Sequence, residues 1–470
     1  MQEQKRLIKN TGIIAIGNIS TKLVSFFLLP LYTSLLSTSE YGTIDYIFSI
    51  AAFCIPFVSL LMDESIFRFL IDTKTSDEKT SVISTASMLV LAGIVVFSIV
   101  GIPVMNVLRY SYTYYAISYV ILNVIAGMLG ALLRGIGRTD QYALFNFLLG
   151  ALQVILNVIF IAVVRMGISG MLIASILAQF IVSITFIIKE KILAYIKVNA
   201  FNRKLAKEMI VYSLPLIPNK VSWTIINLSD RIVLMNVLGS TATGLYAVSY
   251  KFPNLMDTVY GFFYQAWKES SARILENGRE AERNFYNTVY SYLKNFMYAI
   301  VLGMIAFMPL VFHVLINANY YNAIFYVPIL LLGTYFSNIS GFYGGIFTAY
   351  KDTRIMGTTT VIAAIINLTV NLVLIHWVGI YAAAGSTLIA NVVVYLYRKW
   401  KVKKYVALQE YPLKTAASLV ATGIILALFY SENFICILCS CIIAIAYALI
   451  TNKNMLLIVL KYIKGYGKKV

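Results

Sequence analysis

The feature that most constrains this chain is a succession of apolar runs of bilayer-spanning length, separated by short connections that carry most of the charge. A spanning helix takes about 20 mostly apolar residues. Runs of that kind are read at 10–36, 41–63, 80–108, 114–133, 141–164, 168–188, 209–238, 244–267, 285–316, 325–349, 355–376, 380–397, 413–430 and 434–451, fourteen in all. The composition agrees: 60% of the 470 residues are hydrophobic and 12% are charged, against about 25% charged in a soluble domain. Mean hydropathy is +0.80. The expected fold class is therefore all-α, a polytopic membrane protein of about 14 transmembrane helices. The first run follows Lys5, Arg6 and Lys9. It is too long for a signal peptide and lacks a small-residue cleavage site, so it reads as a retained anchor.

Lys plus Arg outnumber Asp plus Glu by 38 to 20, an excess that suits either a nucleic-acid binder or short cytoplasmic loops. Placing the N-terminus inside decides between them. Of the 38 basic residues, 31 then fall at the two termini and in the inner connections, only Arg109 and Arg165 fall outside, and five lie within spans. That asymmetry is the positive-inside signal. The net charge of +18 becomes a consequence of topology, no nucleic-acid partner is expected, and both termini are expected in the cytoplasm. The outer connections are short, the longest running from about Asn317 to Ala323, which leaves no outer domain for a catalytic or receptor site. The longest inner linker, about Lys189 to Lys207, divides the chain. The expected organisation is an N-terminal six-helix bundle (1–190), a cytoplasmic linker (191–208), a second six-helix bundle (209–400), two additional helices (413–451) and a tail (452–470). The tail mixes Leu456, Ile458, Val459 and Ile463 with Lys461, Lys464, Lys468 and Lys469, a basic amphipathic pattern suited to a lipid surface.

The two bundles repeat one another. Leu36-Ser-Thr-Ser-Glu-Tyr-Gly42 recurs as Leu238-Gly-Ser-Thr-Ala-Thr-Gly244. Gln153 and Asn157, followed by Gly167-Ile168, recur as Asn367 and Asn371, followed by Gly379-Ile380. Amides four residues apart share one helix face, and hydrogen bonding across packed helices accounts for them more simply than substrate contact. Two halves with an even number of spans each share one orientation, so they are parallel repeats with the substrate path expected between them.

Six helices plus six, with two appended, resemble the polysaccharide-type, Wzx-like flippases of the multidrug/oligosaccharidyl-lipid/polysaccharide (MOP) exporter superfamily. The residues that carry the resemblance are Gly42, Gly244-Leu-Tyr246, Ser213-Leu-Pro215-Leu-Ile-Pro218, Asp230-Arg231 and the Asn157/Gly167 and Asn371/Gly379 pairs, spread over about residues 1–400. The resemblance implies a flippase that carries an undecaprenyl-pyrophosphate-linked oligosaccharide, such as an O-antigen or capsule repeat unit, from the cytoplasmic to the outer leaflet of a bacterial inner membrane. Its partners would be that lipid-linked substrate, membrane lipids, and polysaccharide polymerases or glycosyltransferases of the same pathway. The alternatives are a peptidoglycan lipid-precursor flippase and a MOP-type small-molecule exporter.

Five cations, Lys22, Lys220, Arg231, Lys251 and Lys294, and three carboxylates, Asp45, Asp230 and Asp257, fall within spans. Each costs roughly 2.5 to 3.5 kcal/mol at a helix centre, so they are expected to line a wet cavity or to pair. Lys22 and Lys220 sit at matching depth near mid-membrane, Lys294 nearer the inside, Lys251 and Arg231 nearer the outside. One reading is a staggered set of cations for a diphosphate, which needs Lys or Arg partners on leaving water. The other is structural pairing, such as Arg231 with Asp45 or Lys251 with Asp257. Five cations against three carboxylates leave +2, a sign that favours an anionic substrate over an organic cation. Asp257, with Asp45 and Asp230 behind it, is the candidate for coupling to a proton or sodium gradient. Eight of the nine prolines, all but Pro412, fall within spans, and kinks there suit alternating access.

Other chemistry finds little footing. No P-loop follows the one Gly-Lys pair, Gly467-Lys468. His313 and His376 lie on different helices, and Cys54, Cys436, Cys439 and Cys441 sit among apolar residues, so neither a metal site nor a cofactor is expected. No Asp-x-Asp pair of a glycosyltransferase kind and no clustered carboxylates occur. No enzymatic activity is expected.

Overall fold

The structure, a computed structural model, describes Phe26 and residues 28–107 and 111–457. Lys22, Arg109, most of the first expected span and the tail from Ile458 onward lie outside the described residues. Every regular element among the described residues is a helix. The chain divides into two compact units, residues 1–244 and 245–470.

The first unit contains α1 (Leu29–Leu35), α2 (Thr38–Ser59), α3 (Met62–Ile71), α4 (Ser76–Val107), α5 (Thr113–Gly135), α6 (Thr139–Asn157), α7 (Gly167–Lys189), α8 (Arg203–Ser213) and α9 (Leu216–Val237). Pro30 sits in the first turn of α1, where its missing N–H has no intrahelical role. Ser37 and Glu40 form a reciprocal capping box that starts α2. Between α2 and α3 the run expected at 41–63 breaks: Leu60 and Leu61 both take left-handed conformations, φ 50 and 49, each costing about 1–3 kcal/mol for a non-glycine residue. Leu61 is held there by a hydrogen bond from its N–H to Ser59 Oγ, 3.1 Å, and by packing against Ile217 and Val221. The sharp turn lets the amphipathic α3 bury Met62, Ile66 and Leu70 against α4, α5 and α8.

The second unit begins within α10 (Gly239–Arg273) and continues through α11 (Arg279–Leu315), α12 (Val327–Ala349), α13 (Arg354–Val378), α14 (Ile380–Val402), α15 (Pro412–Tyr430) and α16 (Phe434–Thr451). α14 packs on both α12 and α13, while α16 packs on α11 and α15. Small residues on α12 admit large partners. The Trp267 indole lies against Gly345 and donates to the Phe342 carbonyl at 3.0 Å.

Among the described residues, eleven segments are long and apolar enough to cross a membrane. α9 and α10 have the length but fall short in hydropathy, because Lys220, Asp230 and Arg231 interrupt one and Lys251 and Asp257 the other. The span expected at 209–238 is two helices, α8 and α9, broken around Leu214 and Pro215. Its prolines are correspondingly not kinks: Pro215 is the N-cap of α9 and Pro218 lies in its first turn. Pro328, like Pro412, begins a helix, whereas Pro56, Pro103, Pro253 and Pro309 are interior.

The internal repeat has a structural counterpart. A Cβ at Gly42 would overlap the Ser240 carbonyl oxygen, and one at Gly244 would overlap the Thr38 carbonyl oxygen. Thr38 corresponds to Ser240 and Gly42 to Gly244, so the contact is reciprocal under the repeat. Ser39 and Ser240 hydroxyls meet beside it at 2.6 Å. Gly167 and Gly379 share a positive φ, 57 and 59, where α7 and α14 begin. The repeats differ between amide pair and glycine: Asn157 to Gly167 is two residues longer than Asn371 to Gly379. The extra length is taken up by a π-helical stretch over Val158–Val163 and a left-handed Arg165, φ 60.

Candidate functional site

Lysine or arginine meets a carboxylate inside the apolar part of the fold around Arg231 and around Lys294. The first lies where α9 packs on α2. Two charged residues of α9, Asp230 and Arg231, are buried. The Arg231 Nε donates to Asp45 Oδ2 at 2.6 Å, and the pair is largely shielded, with side chains 9% and 19% exposed. The pairing weighed from the sequence is thus present. Asp230, the neighbour of Arg231, is also buried. Lys220, two turns or more earlier on the same helix, is exposed. On α10, Lys251 is half-buried and Asp257 exposed. Lys22 is outside the described residues.

The second place surrounds Lys294, in the second unit. Its Nζ donates to Glu410 Oε2 at 3.0 Å and to Thr415 Oγ1 at 3.2 Å. The other carboxylate oxygen, Oε1, lies 2.9 Å from Lys399 Nζ and accepts from the Tyr290 hydroxyl at 2.8 Å. Glu410 stands on the connection between α14 and α15, while Lys399 closes α14 and Lys414 opens α15. Burial pushes the Glu410 carboxyl up, but hydrogen bonds from Lys399, Lys294 and Tyr290 together outweigh it and hold the group below its ordinary value. Around this cluster is a cavity of about 440 Å³, in which Lys294, Lys399, Lys414 and Glu410 share the lining with Tyr290 and Tyr395 and with apolar residues of α12, α14 and α15.

Sequence reasoning selected Lys294 and missed its partners, Glu410, Lys399 and Lys414. A signal was present: Glu410 is the one carboxylate in a stretch that also holds Arg398, Lys399, Lys401, Lys403, Lys404 and Lys414. A lone acid among six bases is either exposed or clamped. Arg398 was missed as well. It is buried and held by neutral groups, with Nε and Nη2 donating to Thr359 Oγ1 at 2.9 and 2.7 Å and Nη1 to the Ser340 carbonyl at 3.2 Å.

The amides bond across helices. Gln153 donates to Ser175 Oγ at 3.1 Å, Asn157 to the Tyr32 hydroxyl at 2.9 Å, and Asn367 to Thr387 Oγ1 at 3.1 Å. Among the described residues no three His, Cys, Asp or Glu side chains converge as metal ligands would. The four cysteines are free thiols, and Cys441 donates to the Ala306 carbonyl. His313 and His376 are exposed.

Comparison with known proteins adds a family and a fold. Residues 7–267, more than half of the chain, match the family described as polysaccharide biosynthesis protein. Among solved structures, the lipid II flippase MurJ in an inward closed conformation is similar at a TM-score of 0.72 and 16% identity, over 95% of this chain and 99% of that one. An inward-facing multidrug resistance MATE family transporter of the MOP superfamily is similar at a TM-score of 0.69 and 15% identity, over 83% and 98%. A MOP superfamily transporter from Pyrococcus furiosus gives 0.56 and 16%, over 84% and 95%. No curated protein matches the sequence.

Proposed function

Since this chain belongs to the polysaccharide biosynthesis protein family and has the fold of the MOP superfamily, we propose that it is a flippase for an undecaprenyl-pyrophosphate-linked oligosaccharide. It carries its substrate from the cytoplasmic to the outer leaflet of a bacterial inner membrane by alternating access, and it performs no covalent chemistry. The observation that carries this reading is the family match over residues 7–267. The excess of cations over carboxylates within the spans supports an anionic cargo, since a diphosphate leaving water needs ammonium or guanidinium partners.

In this reading Lys22, Lys220 and Lys251 meet the diphosphate, and Asp257 couples the cycle to a proton or sodium gradient. Arg231 and Asp45 neutralise one another and serve as framework. The test is export of a surface glycan in cells lacking their own flippase, with protein level and folding monitored. Lys22→Ala and Lys220→Ala should each abolish or sharply reduce export, while Lys22→Arg retains part of it; normal export in both alanine variants would remove the lysines from the path. Asp257→Asn should abolish gradient dependence in proteoliposomes. The orientation is tested by single cysteines: those at Thr38, Ser240 and Asn319 should react with an impermeant thiol reagent added outside, and those at Lys197 and Gly278 should not.

A second reading, transport of the peptidoglycan lipid precursor, is favoured by the 95% coverage of this chain by the lipid II flippase fold. It shares the diphosphate and differs in the headgroup. Rescue of a strain depleted of its lipid II flippase, without rescue of glycan export, would select it.

A further inference from the structure

The cavity around Glu410 is not accounted for by a path between the two repeats, since every residue that lines it belongs to α11, α12, α14, α15, α16 or the connection carrying Glu410. Its chemistry is specific. Lys294, Lys399 and Lys414 share the lining with one carboxylate, that of Glu410, which leaves an excess of two positive charges on the lining. Two of those ammoniums bind opposite oxygens of that carboxylate, at 3.0 and 2.9 Å, the Tyr290 hydroxyl donates to one of the two, and Thr415 Oγ1 accepts from Lys294. Two cations and a hydroxyl converging on the two oxygens of one anion are the kind of donor set a phosphate group requires. The remainder of the wall is apolar, with Leu332, Leu388, Val392 and Leu419 along it, so polar and apolar parts of a ligand would be received side by side.

We propose that this cavity binds the phosphate-bearing headgroup of a lipid of net negative charge, and that Glu410 occupies the headgroup position when the lipid is absent. Glu410 is suited to leave: residues 406–411 form no helix, so its side chain withdraws without breaking a helical hydrogen bond. Lys399 and Lys414, at the adjoining ends of two spanning helices, put the cluster where headgroups lie. Basic pockets between helices at that level take anionic headgroups. The proposal needs only the membrane-spanning fold, and it stands or falls apart from the flippase reading.

The experiment measures binding of two probes to the purified full-length protein in neutral detergent, farnesyl diphosphate and phosphatidylglycerol, with phosphatidylcholine as control. The anionic probes should bind and phosphatidylcholine should not. Glu410→Gln, which removes the internal competitor and keeps the side chain's size, should tighten binding about tenfold, and Lys294→Ala and Lys399→Ala should weaken it about tenfold each. Lys414→Ala, which leaves the carboxylate clamp intact, should weaken it about threefold and gives a reading even if the clamp variants fail to fold. Preference for farnesyl diphosphate identifies the occupant as a polyprenyl diphosphate, and preference for phosphatidylglycerol as a resident phospholipid. Equal binding of phosphatidylcholine, or unchanged affinity in both Glu410→Gln and Lys414→Ala, overturns the proposal. A Glu410→Gln protein that binds more tightly yet exports glycan normally upholds the site while leaving the flippase reading to its own test.

Discussion

Arg231 with Asp45, and Lys294 with Glu410, are both Lys or Arg to carboxylate pairs in a largely apolar protein, but they solve different problems. The first pairs Arg231 with Asp45, 9% and 19% exposed, between α2 and α9, with the buried Asp230 beside Arg231. The second is one carboxylate shared by two lysines at 21–32% exposure, with a third lysine nearby and open volume beside it. A paired cation with no surplus charge beside it has no capacity left for an anion. An unbalanced cluster in a cavity retains it. Buried charge by itself therefore does not mark a binding site; the count of counter-charges and the presence of room do.

The largest effect expected from this contrast is at the closed pair. Arg231→Ala strands Asp45 and should destabilise the protein by about 3–5 kcal/mol, visible as a lower unfolding temperature in detergent or loss of folded yield. Removing both charges, as Asp45→Asn with Arg231→Gln, should restore most of it. If the single variant unfolds like the wild type, the pair is not enclosed and the contrast fails.

Next comes the reciprocal crossing at Gly42 and Gly244. Alanine at either position meets backbone and should cost about 1–3 kcal/mol, as overpacking does. Because both strain one contact, the double variant should cost less than the sum of the two, a coupling a double-mutant cycle measures. Additive losses would mean that the crossing is two independent contacts.

At the open cluster, Glu410→Gln should change stability by about 1 kcal/mol or less, in keeping with partly exposed ion pairs. A loss as large as that of Arg231→Ala would make the cluster structural. The smallest effect is on pH dependence. The folded Glu410 carboxyl is held below its ordinary value of 4.5, so its contribution to stability is complete above that value and is lost as the pH falls through the lower, folded one. Unfolding temperatures followed from pH 6 to 3 should fall less steeply in Glu410→Gln than in the wild type.

Much of this architecture was legible in the sequence. The apolar runs located the helices from α4 to α7 and from α11 to α16 to within a few residues at most ends, because a bilayer demands continuous apolar length. The Gly42/Gly244 repeat was legible because close backbone approach permits nothing larger. The short α3 was not, since its apolar residues merge with the run before it and only the left-handed Leu60 and Leu61 separate them. Nor was the split of α8 from α9, where a proline-bearing run reads as one kinked span. Lys294 was visible as a charge in an apolar helix. Its partner was hidden because Glu410 is 116 positions away on a loop, where a carboxylate reads as solvated.

The Arg231–Asp45 pair joins residues 186 positions apart, and the glycine crossing, where Ser39 meets Ser240, joins α2 to a segment 201 positions on. A ribosome adds about 5–20 residues each second, so Asp45 is made roughly 10–40 s before Arg231 exists. Through that interval α2 carries its carboxylate without its eventual partner and Gly42 without the chain that fills its groove. Synthesis thus holds α2 in waiting, and the first unit closes only when α9 and the start of α10 have been inserted. Anything that slows translation between these points lengthens the period in which the half-built protein is open to quality-control proteases.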